Sequence, residues 1–463
     1  MAKAESGRRH GVLEDSRRLL LSARPRQSRR ALMQAAAAAP LGAVWAAACA
    51  PGDGAGQTAS SQRPLPATVT FVIQTNAGDH TRYWQPFVAW FEDEHSGTKV
   101  EAILPPGEGP YETKVLTMLA GGTVPDLFHL NNRYIYDFYD RGLLQPLDQR
   151  LRRASFPLAD IIPGVLIPYR VANQLVGIPR DNATSAIYYN KDLFAATGVK
   201  EPDRNWTWDE YLETARKLTS PDRERFGSTF PQIENPTPAS HLSFVRSFGG
   251  DWFDAAMREV LIHRPGAVRA FQFALDLRFR HGVVARPEEV APGDQFQGQR
   301  AAMIHEQQGY LQRVKRADPG FQWDIAPLPR GPAGRTNVVG TTGYCIPKPA
   351  LQPDGGAVLL TFLLGERVQR EMMSEGRWTT PRKSLLDYAV PSDGQPSRFK
   401  EAITEPLVTA KGVPMPAGFG EMQSVFQNEM QPVWEGKRSL QEGLTLVEQH
   451  WSQLLKEANQ SRR

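Results

Sequence analysis

Cysteine is scarce in this chain of 463 residues, which contains only Cys49 and Cys345. Its cysteines and histidines form no cluster with the spacing of a metal site, so we predict no bound metal ion and no cofactor. Cys345 stands between Tyr344 and Ile346, a setting that is typical of a small buried apolar residue. Because lipid attachment at Cys49 would consume one of the two thiols, we expect no disulfide bond within the chain.

A surplus of positive charge is missing from most of the chain. The formal charge of the whole sequence is +4, but residues 1–48 contain nine of its 54 basic residues and three of its 50 acidic residues. The rest of the chain therefore has 45 basic and 47 acidic residues, a formal charge of −2. A nucleic-acid-binding protein keeps its basic surplus in the folded part, so we predict no nucleic-acid partner.

Long apolar runs and common catalytic motifs are also missing. No segment after residue 48 is long and apolar enough to cross a bilayer. The sequence has no G-x-S-x-G, no H-E-x-x-H and no phosphate-binding glycine loop, which are patterns of hydrolases, metalloproteases and nucleotide-binding proteins. These absences favour a binding protein over an enzyme.

The N-terminal region has the pattern of an export signal. Arg29 and Arg30 are followed by an alanine-rich, weakly apolar run that ends in small residues before Cys49. This order is typical of a twin-arginine signal peptide with a lipid-attachment cysteine. We predict a signal peptide over 1–48, a lipoprotein linker over 49–67, and a protein that is lipid-anchored at the outer face of the cell membrane or in the periplasm. The alternative is a basic tail before an uncleaved anchor.

Strand and helix patterns alternate after residue 67. Residues 68–73, 99–104 and 125–130 are apolar and rich in β-forming residues. Helical periodicity fills residues 82–95 and 111–120 between them. The alternation predicts an α/β fold whose parallel sheet has right-handed crossovers. In such sheets ligands bind beyond the carboxyl ends of the strands.

Two capping boxes predict where later helices begin. Thr207 and Ser439 are each followed three residues later by a glutamate, Glu210 and Glu442. Each pair satisfies backbone N–H groups of the first helical turn reciprocally. After the second box the apolar residues recur with helical spacing, which predicts one buried stripe: Leu440, Leu444, Val447, Trp451 and Leu455.

Several short motifs follow one another along the chain. They are Pro125-Asp-Leu-Phe with Arg141-Gly-Leu-Leu, Gly177-Ile-Pro-Arg-Asp181, Tyr188-Tyr-Asn-Lys-Asp-Leu-Phe194, Trp206-Thr-Trp-Asp-Glu-Tyr211, Gln299-Arg-Ala-Ala-Met303, Trp323-Asp-Ile-Ala-Pro-Leu-Pro329, Gly340-Thr-Thr-Gly-Tyr344 and Thr380-Pro-Arg-Lys-Ser384. In content and order they resemble the extracellular solute-binding proteins of ABC importers, the family that includes maltose-binding protein. The resemblance covers nearly all of residues 68–460.

The resemblance implies a two-lobed periplasmic-binding-protein fold of α/β class. Three crossings would join the lobes, and a ligand cleft between the lobes would close about a hinge. Lobe 1 would take residues 68–177 and 332–378, and lobe 2 would take residues 178–331 and 379–463. The resemblance also implies a monomer that delivers its solute to the permease subunits of an ABC importer.

Sugar binding predicts the residue types to examine. Aromatic faces stack on the C–H surfaces of a sugar, while amide and carboxylate groups bond its hydroxyls. By the resemblance, Asp181 occupies a place where an acidic residue of the family bonds a sugar hydroxyl. The predicted ligand-binding residues are Asn76, Asp79, Tyr83, Trp84, Asn131, Asn132, Arg180, Asp181, Trp252, Glu306, Gln307, Tyr310, Thr342, Tyr344, Trp378 and Phe419.

Structural roles compete with ligand binding at several of these positions. Trp84 also fits core packing at helical spacing, and Trp378 and Phe419 also fit partial burial in the core. Asn76 and Asp79 are also ordinary turn residues. Arg180 and Asp181 also fit an ion pair at a hinge, and Asn131 and Asn132 fit an Asx turn.

The leading hypothesis is a binding lipoprotein that captures a sugar or oligosaccharide. One alternative is a binding protein for a non-sugar solute such as a polyamine or an organophosphate. Another is a secreted carbohydrate-active enzyme, which would need two carboxylates about 5–10 Å apart. Asp181 and Glu306 are the candidates for that pair.

Overall fold

The computed structural model describes residues 65–75, 79–105, 110–229, 231, 237–290, 292–376 and 378–460. The predicted signal peptide, nearly all of the predicted linker with Cys49, and the predicted ligand residue Asn76 lie outside these residues.

Strands and helices alternate through the first half of the described chain. The strands are β1 (Thr68–Val72), β2 (Lys99–Ile103), β3 (Leu127–Asn131), β4 (Arg170–Val171), β5 (Gln174–Leu175), β6 (Ile178–Pro179), β7 (Ser185–Asn190), β8 (Phe226–Ser228), β9 (Ala301–Gln307), β10 (Trp323–Ala326), β11 (Val338–Val339), β12 (Thr342–Cys345) and β13 (Lys411–Gly412). The first three lie where apolar β-forming residues predict them.

The helices surround these strands. The α-helices are α1 (Gln85–Glu94), α2 (Tyr111–Ala120), α3 (Ile135–Asp140), α4 (Asp148–Arg153), α5 (Pro163–Leu166), α6 (Lys191–Thr197), α7 (Trp208–Leu218), α8 (Ser243–Ser247), α9 (Pro265–Phe279), α10 (Tyr310–Ala317), α11 (Pro353–Leu363), α12 (Glu366–Met373), α13 (Glu405–Leu407), α14 (Phe419–Trp434) and α15 (Leu440–Gln460). A π-helical turn, His80–Trp84, leads directly into α1.

The chain forms two main sheets. The five-stranded sheet has the order β2-β1-β3-β12-β6, and the four-stranded sheet has the order β10-β7-β9-β8. β1 pairs in parallel with both β2 and β3, whereas β12 runs antiparallel to β3 and β6. The predicted α/β class and the predicted parallel arrangement of the first three strands are therefore confirmed.

Each main sheet has a separate apolar core. The core of the five-stranded sheet includes Phe71, Leu127 and the α1 residues Phe87 and Phe91. The core of the four-stranded sheet includes Ile187 and Met303 from its strands and buried aromatic side chains from α7, α9, α14 and α15. Burial of these apolar side chains away from water is the main force that holds each helical layer against its sheet.

The helix starts follow local sequence chemistry. At α7 the Thr207 hydroxyl accepts the Glu210 N–H at 3.2 Å, and the Glu210 carboxylate accepts the Thr207 N–H at 2.7 Å. Ser439 and Glu442 form the same reciprocal bonds before α15. Both predicted capping boxes are confirmed. The predicted stripe of α15 is buried at Leu444, Val447, Trp451 and Leu455.

Three chain segments run side by side between the two sheets. Asn182 forms an isolated β-bridge with Thr379, and Ala183 forms one with Gly340. The side-chain amide of Asn182 also donates to the carbonyl of Thr380 at 2.9 Å. Because β6 ends at Pro179 in one sheet and β7 begins at Ser185 in the other, these bridges lie where the chain passes between the sheets.

The C-terminal part of the described chain packs against both cores. Leu407 and Ala410 pack with the five-stranded sheet, whereas Met415 and Phe419 pack with the four-stranded sheet. The prediction placed residues 379–463 with lobe 2 throughout. The exact boundaries of the lobes stay a prediction.

Candidate functional site

A buried ion pair marks the point where the chain leaves β6. Nε of Arg180 donates to Oδ2 of Asp181 at 2.7 Å, and Nη2 donates to the same oxygen. Oδ1 of Asp181 accepts the backbone N–H of Thr342 at 3.1 Å. The Arg180 charge is therefore balanced inside the protein, and both carboxylate oxygens already have partners.

Two tryptophans flank the Arg180 guanidinium. Its central carbon lies 5.6 Å from the ring centre of Trp84 and 5.6 Å from that of Trp378. Trp84 is only 1% exposed and also packs against Phe71 and His129. Trp378 remains partly exposed. The geometry makes Trp84 a core residue beneath the site and leaves Trp378 as the accessible ring.

A neutral histidine completes this cluster. His129, on β3, is fully buried. Its Nδ1 accepts the backbone N–H of Gln74 at 2.9 Å and lies 3.2 Å from Nη1 of Arg180. Burial and the neighbouring guanidinium charge hold the pKa of His129 well below its usual value. Because Nδ1 faces two donors, the ring acts as an acceptor and helps to fix the direction of the guanidinium.

The segment 374–380 carries Trp378 and contacts both sides of the molecule. The Glu375 carboxylate accepts the Tyr83 hydroxyl and pairs with Arg82 from the π-helical turn before α1. The backbone carbonyl of Glu375 accepts a hydrogen bond from the side-chain amide of Gln312 at 2.7 Å. Tyr83 also packs edge-on against Trp378, with ring centres 5.4 Å apart. These contacts fix the Trp378 ring beside the crossings.

Asn131 and Thr342 face each other at the edge of the five-stranded sheet. They are partners in the β3–β12 register, and both are partly exposed. Oδ1 of Asn131 accepts the N–H of Arg133 at 3.2 Å, which is the Asx turn that the sequence allows. Asn132 is buried, and its amide lies between backbone groups of Thr341 and Val413. Asn132 therefore positions neighbouring segments.

Glu306 and Gln307 lie at the end of β9 in the four-stranded sheet, and both are partly exposed. The Gln307 amide donates to the hydroxyls of Thr237 and Ser240 at 3.1 and 3.2 Å. Desolvation raises the pKa of Glu306 to about 7. This carboxyl group is therefore partly protonated at neutral pH and is able to donate as well as accept a hydrogen bond.

Three predicted ligand residues are core residues. Trp252, Tyr344 and Phe419 have no exposed surface. Trp252 stacks on Phe419 with ring centres 5.4 Å apart, and its indole N–H donates to Nδ1 of His241 at 2.9 Å. Tyr344 lies against His129. A solute cannot touch a ring that is fully enclosed by other side chains, so the described conformation offers none of these three rings to a solute, and their role as contacts stays a prediction.

Tyr310, Asp79 and Tyr83 are also largely buried. The Tyr310 hydroxyl donates to Oδ1 of Asp294 at 2.8 Å, and its ring packs edge-on against Tyr188. Tyr310 therefore supports the end of β9 rather than offering a free ring. Asp79 directly precedes the π-helical turn.

His129 and Glu375 were not among the residues predicted from the sequence. A signal for His129 existed, because a histidine inside the apolar strand β3 requires a buried hydrogen-bond partner. Glu375 carried no such signal, since its partners Tyr83 and Arg82 lie almost 300 residues away in the sequence. The described residues contain no group of His, Cys, Asp and Glu side chains placed to hold a metal ion.

Known proteins resemble this chain in sequence and in fold. A lipoprotein of Streptomyces antibioticus is 26% identical over 355 residues, which cover 71% of this chain and 74% of the relative. Among the helices of the described residues, none is long and apolar enough to span a bilayer.

Two solved structures share the fold. An ABC substrate-binding protein of Listeria monocytogenes in complex with cycloalternan has a TM-score of 0.73 and 20% identity. The match covers 84% of this chain and 99% of that protein's chain. UgpB of Mycobacterium tuberculosis in complex with glycerophosphocholine has a TM-score of 0.70 and 19% identity, and covers 84% of this chain and 98% of its own. This chain therefore has the two-lobed fold of periplasmic solute-binding proteins.

The family itself follows from the sequence match. The family model described as bacterial extracellular solute-binding protein matches residues 77–370, more than half of the chain. Such proteins of ABC importers work outside the cytoplasm and deliver small molecules to permeases. The chain therefore belongs to the bacterial extracellular solute-binding protein family.

Proposed function

We propose that this protein captures a neutral sugar or oligosaccharide between its two lobes and delivers it to an ABC importer. The observation that carries the proposal is the partly exposed ring of Trp378, which is held over a guanidinium whose charge Asp181 already balances. A flat apolar face beside polar groups, without an unpaired charge, suits the C–H face and hydroxyls of a sugar.

The proposed contact residues come from both main sheets. Asn131, Thr342 and Trp378 would contribute an amide, a hydroxyl and a ring from one side. Glu306 and Gln307 would contribute a carboxyl group and an amide from the other side. Contacts that form only when both lobes touch the solute would favour the closed conformation. Lobe 1 is proposed to comprise 68–177 and 332–378, and lobe 2 the rest of the folded chain.

Export and anchoring form a second part of the proposal. The arginine pair Arg29-Arg30 and the small residues before Cys49 support a twin-arginine signal peptide and lipid attachment. The similarity to a lipoprotein of Streptomyces antibioticus supports the same interpretation. We propose a monomer that is anchored at the outer face of the cell membrane by a lipid on Cys49.

An organophosphate is the second candidate solute, because the structurally similar UgpB of Mycobacterium tuberculosis was solved with glycerophosphocholine. A phosphate group prefers an arginine that can donate two parallel bonds. Arg180 is committed to Asp181 and Arg133 is bound by Asn131 and Gln423, so neither favours this candidate. The partial protonation of Glu306 likewise gives a polyamine a weaker anionic partner.

A ligand panel tests the proposal. We would follow thermal unfolding of the full chain with mono- and oligosaccharides, glycerophosphocholine and spermidine. A solute at 100 times its Kd is expected to add about 2.7 kcal/mol of stability, a shift of a few degrees in Tm. A shift with a saccharide alone supports the proposal, and a shift with glycerophosphocholine or spermidine alone replaces the solute class.

A variant pair assigns the site. Trp378→Ala is expected to weaken saccharide binding at least tenfold, because the ring supplies the apolar face. Trp90→Ala is the matched control, since Trp90 is a partly exposed tryptophan on α1 that lies against Arg367. Equal affinities in both variants would reject Trp378 as a contact. If the wild-type protein hydrolyses the saccharide, and both Asp181→Asn and Glu306→Gln abolish this hydrolysis, the protein is the enzyme and not a binding protein.

A further inference from the structure

A cavity lies within the part of the molecule built on the four-stranded sheet. Its volume is about 390 Å³, near the lower end of the range of ligand pockets, about 300–1,000 Å³. Its walls come from β8, the start of β9, α9 and the end of α14. None of its lining residues belongs to the chain crossings or to the predicted saccharide site.

The sheet itself explains why space remains there. β8 is an edge strand of three residues, so the sheet ends early, and no further strand of the described residues pairs with it. The segment between α9 and β9 covers this edge and contributes Val284 and Val290 to the wall. Val290 is 48% exposed, which places an apolar side chain at the boundary between the cavity and solvent.

Two polar groups on the wall lack partners. The Arg300 side chain forms no hydrogen bond or ion pair with any residue that the structure describes, although it is partly buried. The hydroxyl oxygen of Thr229 is buried and also has no hydrogen-bond partner within the described ranges. Buried polar groups are almost always hydrogen-bonded. The buried Thr229 hydroxyl therefore indicates a missing hydrogen-bond partner inside the cavity, and Arg300 is a charged donor on the same wall.

Two guanidinium groups, from Arg278 and Arg300, lie on the described wall of the cavity. Arg278, which is 5% exposed, is held at the wall by its bond to the carbonyl of Trp434 at 2.8 Å. Among the described lining residues the one carboxylate, that of Glu435, is bound by Lys437 at 2.7 Å and by the amide of Gln431 at 2.9 Å. Its negative charge is therefore largely balanced by Lys437. The guanidinium of Arg300 therefore leaves an electrostatic preference for an anion.

The remaining wall is apolar. Phe226, Val284, Ile304 and Trp434 are all buried and face the cavity. An inorganic anion would leave this surface without contacts. A molecule with one anionic group and an apolar body would satisfy both parts of the wall.

We propose that this cavity binds a small organic carboxylate, with Arg300 as its charge partner and Thr229 as a further hydrogen-bonding group. Arginine binds a carboxylate through two parallel N–H···O bonds, and the apolar body would lie against Phe226 and Trp434. The proposal is independent of the saccharide site, since no lining residue is shared.

Calorimetric titration of the full chain with benzoate and with benzamide tests the proposal. The two probes have nearly the same shape, but only benzoate is charged at neutral pH. We expect benzoate to bind at least tenfold more tightly than benzamide. Arg300→Gln is expected to weaken benzoate binding at least tenfold, whereas the control Arg316→Gln, an exposed arginine on α10, is expected to leave it unchanged.

The outcomes separate this site from the saccharide site. Equal binding of benzoate and benzamide, equal loss in both variants, or no binding of benzoate would overturn the proposal. Displacement of benzoate by a saccharide would place the probe in the other site and would also overturn it. Tighter binding of inorganic phosphate than of benzoate would reject the organic carboxylate. Normal saccharide binding by Arg300→Gln would show that a negative result does not come from misfolding.

Discussion

Two aromatic clusters of this protein use the same side chains for different purposes. Trp252 lies in the core of the four-stranded sheet between Phe419 and Trp451, with no exposed surface. Trp378 lies at the crossings beside Tyr83 and Arg180, and its ring is partly exposed. Both residues fit a ligand-binding role in the sequence. The burial of Trp252 assigns it to stability, whereas the partial exposure of Trp378 supports our proposal that it binds a solute.

The difference lies in what encloses each ring. Apolar rings from α14 and α15 surround Trp252 on several sides and exclude water. Trp378 packs against the core of the five-stranded sheet, and it also lies beside the Tyr83 ring and the Arg180 guanidinium that Asp181 pairs with. A fully enclosed ring contributes its whole surface to burial on folding, whereas a partly exposed ring keeps part of its surface in contact with solvent.

The largest loss of stability is expected for Trp252→Ala. Removing a fully buried tryptophan leaves a cavity, and such substitutions cost about 3–5 kcal/mol. We expect this decrease in the free energy of unfolding by urea denaturation. A loss below about 1 kcal/mol would show that Trp252 is accessible after all and would return it to the list of contacts.

Asp181→Asn is expected to cost about 3–5 kcal/mol or somewhat less, because it leaves the buried guanidinium of Arg180 without its counter-charge. The measurement is again urea denaturation. The double variant Arg180→Met with Asp181→Asn is the control, since it removes both charges, and we expect it to recover a large part of the loss. A double variant that is less stable than Asp181→Asn would contradict the buried-charge explanation.

Acid is expected to destabilise the core that contains Trp252. Burial lowers the pKa of His241 and His305 to about 3, against about 6.5 in an unfolded chain. The unfolded state therefore binds more protons between pH 6.5 and pH 3, and stability falls as the pH falls through this window. The full contribution is present above pH 6.5. We expect a loss of about 1–2 kcal/mol for each histidine between pH 7 and pH 5.

The control for this pH dependence is a pair of single variants. His305→Gln is expected to flatten the dependence of Tm on pH between pH 5 and pH 7. His450→Gln, at an exposed position on α15, is expected to leave the slope of the wild-type protein. A slope that changes equally in both variants would argue against buried histidines as the cause.

The smallest effect on stability is expected for Trp378→Ala. Its ring is partly exposed, so the free energy of unfolding should fall by about 1 kcal/mol or less, while saccharide affinity falls at least tenfold. Chemical denaturation and calorimetry on the same sample would measure both quantities. A stability loss as large as that of Trp252→Ala would end the distinction between the two clusters.

Much of the fold is predictable because its signals are local. The first three strands and α2 follow the periodicity of nearby apolar residues, and α7 and α15 begin at capping boxes that span four residues each. These patterns depend on neighbouring side chains alone. The same holds for the family motifs, which are short and keep their order along the chain.

The site was predictable only in part. Arg180, Asp181, Asn131, Thr342 and Trp378 are indeed brought near the crossings. Their partners depend on distant segments, as with Arg180 and His129, which are 51 residues apart, or Tyr83 and Glu375, which are 292 residues apart. No periodicity reports such contacts, so the roles of His129 and Glu375 were not foreseen.

The sequence by itself determined the α/β class, the beginnings of key helices and the membership of the family, because local periodicity and short motifs carry that information. The tertiary structure alone decided which aromatic rings are enclosed and which polar groups have partners. Burial is a property of segments that meet after folding, so Trp252 and Trp378 are indistinguishable in the sequence. The two residues differ only in the folded protein, where rings of α14 and α15 enclose Trp252, whereas Trp378 lies beside the crossings.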